Sequence, residues 1–446
     1  MRAFERRILG REGKVIGLYA LLSGMLTGFM IRNGFVSNPD SWAYWEGSVS
    51  LIEYGRYTYL NGEPITAWPP LFSVYLSLAQ WIGSQSGAWL CCAMVSITVL
   101  NVVAWGAYVH FLFRDTCEAP ERLAFHGAMT FVTLFVATCS SMLLAHVLLL
   151  FFLGLMFRMI LVTRVCGQDA YMRNVALLAV VLACALLTHN TGLAYTSTVV
   201  LVLLADRTRP VNLRVAAAIV ILVVALCPWL TLRWMCGQTG SHAVSTPLFT
   251  PFHYVRQSLS GIGTFFLPVA PDLKYVRGAL GVLSVGGLAG LLLFRKRAGM
   301  PVPAAAVLAL TLLSFASIFA IFNFVWIDAP LSGRFLWYMP LAFVPVLLCC
   351  AQNRRRLLFC LLALTLSGPF FNVVQQESGE VASPLPIHAD ISTDGNIRPW
   401  YYLSERYPER CPKNARPVVA PAYPWMQRWR QSELPESARS LVRVVR

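Results

Sequence analysis

The chain has 446 residues, of which 57% are hydrophobic and only 13% charged, and its apolar residues gather into separate runs of roughly 17 to 23, each able to cross about 30 Å of hydrocarbon as a helix. A soluble globular protein is thereby excluded, and because the runs are continuous rather than alternating, so is a β-barrel. The net charge of +15 would suit nucleic acid in a soluble chain, but here the basic residues fall in short loops between apolar runs, where a membrane accounts for them and no nucleic-acid partner is expected.

The first apolar run, Val15 to Ile31, follows a basic start (Arg2, Arg6, Arg7, Arg11, Lys14) and ends at Arg32-Asn33-Gly34 without a small-residue cleavage pattern, which reads as a retained anchor rather than a signal peptide. The loop after it, 32–70, carries Asn38-Pro39-Asp40-Ser41-Trp42-Ala43-Tyr44-Trp45-Glu46, then Tyr54-Gly55-Arg56-Tyr57 and Trp68-Pro69-Pro70-Leu71. Asn38 suits a helix cap and Pro39 its first position, which predicts an amphipathic helix lying on the membrane surface with Asp40 in its first turn and Tyr44 one turn on. The stretch from Leu71 to Gly83 is too short for a span and is expected to be juxtamembrane or re-entrant. Further spans are predicted at 89–113, 123–138, 142–161, 175–188, 191–205, 215–232, 277–294, 302–324, 335–350 and 357–373, about eleven with the first anchor. The fold class is an all-α polytopic membrane protein.

Charge distributes unevenly between alternate loops. The N-terminus and the segments 114–122, 158–173, 206–214, 295–297 and 352–356 hold nineteen Lys and Arg, against seven in the intervening short loops. That bias places the N-terminus in the cytoplasm and the C-terminus outside. The tail 375–446, with nine prolines, is too small for a large core of its own and is expected to pack outside the bundle. Most cysteines fall within spans and act as small hydrophobes; Cys236 and Cys411 lie in segments assigned outside, where a disulfide between them would be permitted.

The topology gathers several ionisable groups on the outer side. His146 lies near the outer end of its span, His189 in the turn Leu187-Thr188-His189-Asn190-Thr191-Gly192, and Arg334 opens a late span after Asp328-Ala329-Pro330-Leu331-Ser332-Gly333. The second large outer loop, 234–276, adds His242, His253, Arg256 and Lys274. Ionisable groups at membrane depth cost roughly 2.5 to 3.5 kcal/mol to insert, so they tend to face a cavity or a partner. For each a structural reading stands beside the functional one. Asp40 complements a helix dipole, His146 is a satisfied buried residue, and Arg256 and Lys274 are interfacial anchors. A guanidinium at the outer surface, as Arg334 supplies, suits a phosphate group.

These residues resemble the C-type glycosyltransferase superfamily, multispan enzymes that use polyprenyl-phosphate sugars and include protein mannosyltransferases and the aminoarabinose transferases of lipid A. Asp40 with Tyr44, Glu53-Tyr54-Gly55-Arg56-Tyr57 and Pro69-Pro70-Leu71 look like that family's first outer loop. Leu187-Thr188-His189-Asn190-Thr191-Gly192 looks like its Leu-Thr-Arg-x-x-Gly turn, and Gly333-Arg334-Phe335-Leu336 with Pro340 like its Arg-aromatic-Leu-x-x-Pro late span. There are departures: His189 stands for an arginine, His146 near a usual acid, and Ser41-Trp42 breaks any Asp-x-Asp pattern, so neither a divalent metal nor another cofactor is expected.

The resemblance implies a transmembrane glycosyltransferase domain over 1–374 in a bacterial inner membrane. It implies a polyprenyl-phosphate-linked donor and a lipid, protein or glycan acceptor on the periplasmic face. Asp40 would act as general base, with Glu46 as a second candidate that also reads as a surface charge. Arg334, with Arg56, Lys274 or Arg256, would receive the phosphate charge, and Tyr44, His146 and His189 would line the substrate site. A single displacement would invert the anomeric centre. A lipid-linked-saccharide flippase, or a ligase or polymerase using a diphosphate carrier, are the competing readings.

Overall fold

The computed structural model describes residues 13–31, 39–58, 64–65, 68–84, 89–116, 122–141, 143–235, 259, 262–263, 274–294, 302–324, 338–351 and 355–378. Cys236, Cys411, His242, His253, Arg256, Arg334 and the tail beyond residue 378 lie outside them. The secondary structure of the described residues is helical, apart from one isolated antiparallel bridge between Thr58 and Pro64. In chain order the helices are α1 (Gly13–Met30), α2 (Pro39–Tyr54), α3 (Leu71–Ser84), α4 (Trp89–Thr116), α5 (Arg122–Ser141), α6 (His146–Val165) and α7 (Gln168–Thr188). They continue as α8 (Gly192–Ala205), α9 (Val211–Met235), α10 (Lys274–Leu293), α11 (Val302–Phe324), α12 (Tyr338–Ala351) and α13 (Arg355–Ser378).

Among the described residues, seven stretches are long and apolar enough to cross a membrane: Gly13–Met30, Cys91–His110, Leu123–Ser140, His146–Val165, Gln168–Thr188, Val211–Leu232 and Tyr275–Leu293. Their outward faces are hydrocarbon. Val95, Val99 and Val103 form an exposed stripe at four-residue spacing on α4, and Leu18, Leu22, Met25 and Phe29 form one at three- and four-residue spacing on α1. Water does not tolerate such surfaces at this scale, whereas acyl chains match them. The chain is a multi-pass α-helical membrane protein.

The chain divides into two compact units. One comprises Gly24–Leu100, Ala137–Ala145 and Val374–Arg446 and is organised around the pair α2–α3. Here α2 is not the surface-lying amphipathic helix expected, since every residue from Ala43 to Ser50 is buried. The cause is packing on two sides. Against α3, Tyr44 meets Phe72 edge-on with ring centroids 5.1 Å apart, and the Ser73 hydroxyl donates to the Tyr44 carbonyl at 2.9 Å. On another side the returning loop closes over Gly47, where a Cβ would come within 2.5 Å of the Tyr57 ring and 2.9 Å of Ile65.

That loop is built by the sequence pattern singled out above. Gly55 takes φ +63°, a left-handed conformation open to glycine at little cost, and its N–H returns to the Leu51 carbonyl at 3.1 Å to stop α2. The Tyr57 hydroxyl then reaches the carbonyls of Trp68 and Pro69 at 3.1 and 3.4 Å, fixing the start of α3. At 14 residues α3 is about 21 Å long, short of the hydrocarbon thickness. Its polarity is inverted: Ser73 and Gln80 are buried, while Val74, Leu78, Trp81 and Ile82 face outward.

The other unit, Met1–Ser23, Asn101–Val136 and His146–Val373, contains a run of antiparallel helices, α6 to α9, in which α7 packs against α6, α8 and α9. Helix α6 begins at His146 rather than at Met142, because Leu143 holds a left-handed φ of 47° that no continuing helix allows. Helix α7 begins seven residues before the expected apolar run because Asp169, Tyr171 and Arg173 are already helical, Asp169 complementing the dipole of the first turn. Helix α8, expected as a span, has 14 residues, the same short length as α3. Close crossings rest on glycine. A Cβ on Gly154 of α6 would lie 2.9 Å from the Tyr108 Cα of α4, the small-residue contact favoured between membrane helices. Beyond the hairpins, α8 packs on α11 through Thr198, whose hydroxyl lies 3.3 Å from Ser314 and 3.4 Å from Ser317. Thr198 spends its own proton on the Ala194 carbonyl at 2.8 Å, so a serine is the donor between the helices.

Candidate functional site

The two ends of the α6–α9 array differ in chemistry. At one end the turns are basic. The Arg209 guanidinium donates to the Cys166 carbonyl, which ends α6, and lies 4.9 Å from the centre of the Tyr171 ring on α7. Arg214 donates to the Leu204 carbonyl at 2.6 Å, and Asp206 Oδ1 accepts from the Thr208 N–H and hydroxyl at 3.1 and 2.7 Å. The segments around 166 and 209, assigned to one side of the membrane from their charge, lie together.

The opposite end carries the histidines. His146 is the first residue of α6 and His189 the residue after α7, and the hairpin brings their rings to 5.0 Å. Both are buried, 3% and 7% exposed. His189 is locked from its own turn. Its Nδ1 accepts from the Thr191 backbone N–H at 3.2 Å and lies 2.8 Å from the Thr191 hydroxyl. An amide can only donate, so Nδ1 is the unprotonated nitrogen of neutral His189 and Nε2 carries the hydrogen. The turn is tight because Gly192 lies on the last turn of α7, where a Cβ would stand 2.5 Å from the Leu186 Cα and 2.6 Å from its nitrogen. Asn190 is tied to α9, its Oδ1 accepting from Trp229 Nε1 at 3.3 Å. The Leu-Thr-His-Asn-Thr-Gly segment thus forms a rigid corner that presents one imidazole to another.

In the α2–α3 unit, Asp40 occupies the second position of α2, directly after Pro39, as predicted. Tyr44 is 1% exposed and packs as core against Phe72. Glu46, also read as a surface charge, is instead 6% exposed, drawn inside because α2 is covered by both α3 and the returning loop. A carboxyl is retained in such a place where partners or a ligand offset its desolvation. Arg56 follows the αL glycine and is exposed. Lys274 opens α10.

One residue of this kind escaped the sequence reading. Arg277, taken only as the edge of a span, is 7% exposed, and its Nε and Nη1 meet no hydrogen-bond acceptor among the described residues. Its signal was available only as an arginine one turn inside an apolar run, indistinguishable by composition from an interfacial anchor. Among the described residues no three of His, Cys, Asp and Glu converge as a metal site would require. Comparison of the chain with protein-family models, with curated proteins and with solved structures gives no match.

Proposed function

We propose that this chain is an inverting glycosyltransferase that moves one sugar from a polyprenyl-phosphate donor to an acceptor on the periplasmic face of a bacterial inner membrane. In this reading about eleven spans place the N-terminus in the cytoplasm. The observation that carries it is the meeting of His146 and His189 at the end of the array opposite the arginine-rich turns. Ionisable rings buried at a helix corner of a membrane bundle are kept where a partner or a polar ligand offsets their cost, and that end is the one charge bias assigns to the outside.

The chemistry follows from the donor. A polyprenyl phosphate leaves without protonation, so a single carboxylate suffices as base, where most glycosidases need an acid and a base. Asp40 takes the proton from the acceptor nucleophile as that nucleophile attacks the anomeric carbon and the phosphate departs with the bonding pair. With a reference pKa of about 3.9, Asp40 is ionised at neutral pH in a solvated setting. Arg334, with Arg56, Lys274 or Arg256, stabilises the phosphate charge; Glu46 is the second carboxylate, and His146, His189 and Tyr44 border the acceptor and sugar.

The test is transfer by purified, reconstituted protein from a labelled polyprenyl-phosphate sugar. Asp40→Asn at equal membrane abundance should lower transfer by at least about 10²-fold, the scale of general-base loss. Arg334→Ala should raise the KM for the lipid donor. Wild-type transfer by Asp40→Asn removes Asp40 from the mechanism, and translocation of the labelled lipid without a glycosylated product would move the protein to the flippase class.

A further inference from the structure

From Arg277 we infer a phosphate-binding site at the first turn of α10. Arginine cannot shed its charge when buried, so this residue remains a cation at 7% exposure. An uncompensated buried charge is strongly unfavourable, and buried polar atoms without partners are few in folded proteins. Such a group calls for an anion.

The surroundings narrow the anion's class. Arg277 is the fourth residue of α10, within the first turn, where backbone N–H groups lack intrahelical acceptors and the dipole is positive. The fully buried Ile262 and its neighbour Gly263 cover this turn; a Cβ on Gly263 would strike the Arg277 carbonyl, and one on Gly281 would strike the Leu259 carbonyl. The backbone at Leu259 and Gly263 therefore lies directly on α10, beside the buried Arg277. Its chain neighbours point the other way: Tyr275 is 83% exposed and Val276 is 48% exposed. A first turn with its cation inward and its apolar residues outward fits a ligand with a phosphate head and a hydrocarbon tail. The inference deepens the proposed function by naming a residue that holds the donor's phosphate, and it rests on that reading only for the donor's identity.

The test uses full-length protein in detergent, wild type against Arg277→Met and Arg277→Lys, with undecaprenyl phosphate and inorganic phosphate as separate probes. Wild type should gain thermal stability with a phosphate probe. Arg277→Met should be at least as stable as wild type without ligand, because a buried charge whose Nε and Nη1 meet no acceptor among the described residues is gone, and should bind at least about tenfold more weakly. Arg277→Lys, which keeps the charge but not the fork, should fall between. A response to undecaprenyl phosphate alone identifies a lipid head group as the source; an equal, Arg277-dependent response to inorganic phosphate identifies the free anion, and either supports the site. A phosphate response unchanged in Arg277→Met, or none in wild type, overturns it. Failure of the transfer reading is distinguishable, since wild type would then yield no glycosylated product while Arg277→Met still lost its phosphate response.

Discussion

Gly192→Ala is the substitution for which the structure makes the sharpest statement. The added methyl would stand 2.5 and 2.6 Å from the Cα and nitrogen of Leu186 and 2.9 Å from the Ala185 carbonyl carbon, whereas non-bonded carbons rest at about 3.5 to 4.0 Å. The overlap is about 1 Å, and every atom met is backbone, so no rotamer relieves it. The start of α8 must move off the end of α7, taking Thr191 with it and loosening its hold on His189 Nδ1. Overpacking of this kind costs about 1–3 kcal/mol, or about 2–12 °C in the unfolding midpoint at roughly 2–4 °C per kcal/mol. The measurement is thermal unfolding in detergent beside Gly278→Ala, whose Cβ meets nothing within 4 Å inside α10. There alanine should be neutral or stabilising by up to about 1 kcal/mol. Equal midpoints for the two variants would refute the close approach at Gly192, and with it the rigid corner that aims His189 at His146.

Arg209→Ala removes both the donor to the Cys166 carbonyl and the cation over Tyr171; a loss of about 2–3 kcal/mol is expected in the same assay, with Arg209→Lys recovering only part because lysine lacks the planar fork. Tyr57→Phe keeps the ring over Gly47 but deletes the bonds to Trp68 and Pro69, for about 0.5–1.5 kcal/mol; a cost no smaller than that of Tyr57→Ala would contradict the packing described for Gly47. Glu46→Gln preserves shape inside α2 and removes the charge, so it should lower sugar transfer, and Glu46→Asp should restore part of the rate; undiminished transfer by Glu46→Gln makes the carboxyl a packing residue.

Apolar runs were legible because hydrocarbon thickness sets their length, and α1, α4, α9 and α11 appear within a few residues of the expected spans. Boundaries set by other forces were not. The α6 start depends on the backbone conformation of Leu143, which hydropathy does not register, and α7 continues through polar residues because a helix needs no apolar side chains outside the bilayer. The corner at 188–192 could be read as a turn from its glycine, but not that the glycine is there for lack of room rather than for an unusual φ. Glu46 and Arg277 were misjudged for a shared reason: a charge near a helix end looks like a solvated residue until tertiary neighbours cover it, and those neighbours, Tyr57 and Ile65 for α2 and Leu259 and Gly263 for α10, come from segments between the spans whose course no periodicity predicts.

Helix α3 shows why the distinction matters for function. In water a helix turns Ser73 and Gln80 outward and hides Leu78, Trp81 and Ile82; here the arrangement is reversed, because the outer medium is the apolar one and the protein interior is where polar atoms find partners. The same inversion governs α10, with Tyr275 outward and Arg277 inward. In such a protein an inward cation or carboxyl cannot be dismissed as a solvated charge, since the inside is the only place where its desolvation can be offset. Removal of the Arg277 charge should accordingly stabilise the empty protein while impairing its ligand-bound state, the opposite of what removal of a structural ion pair does.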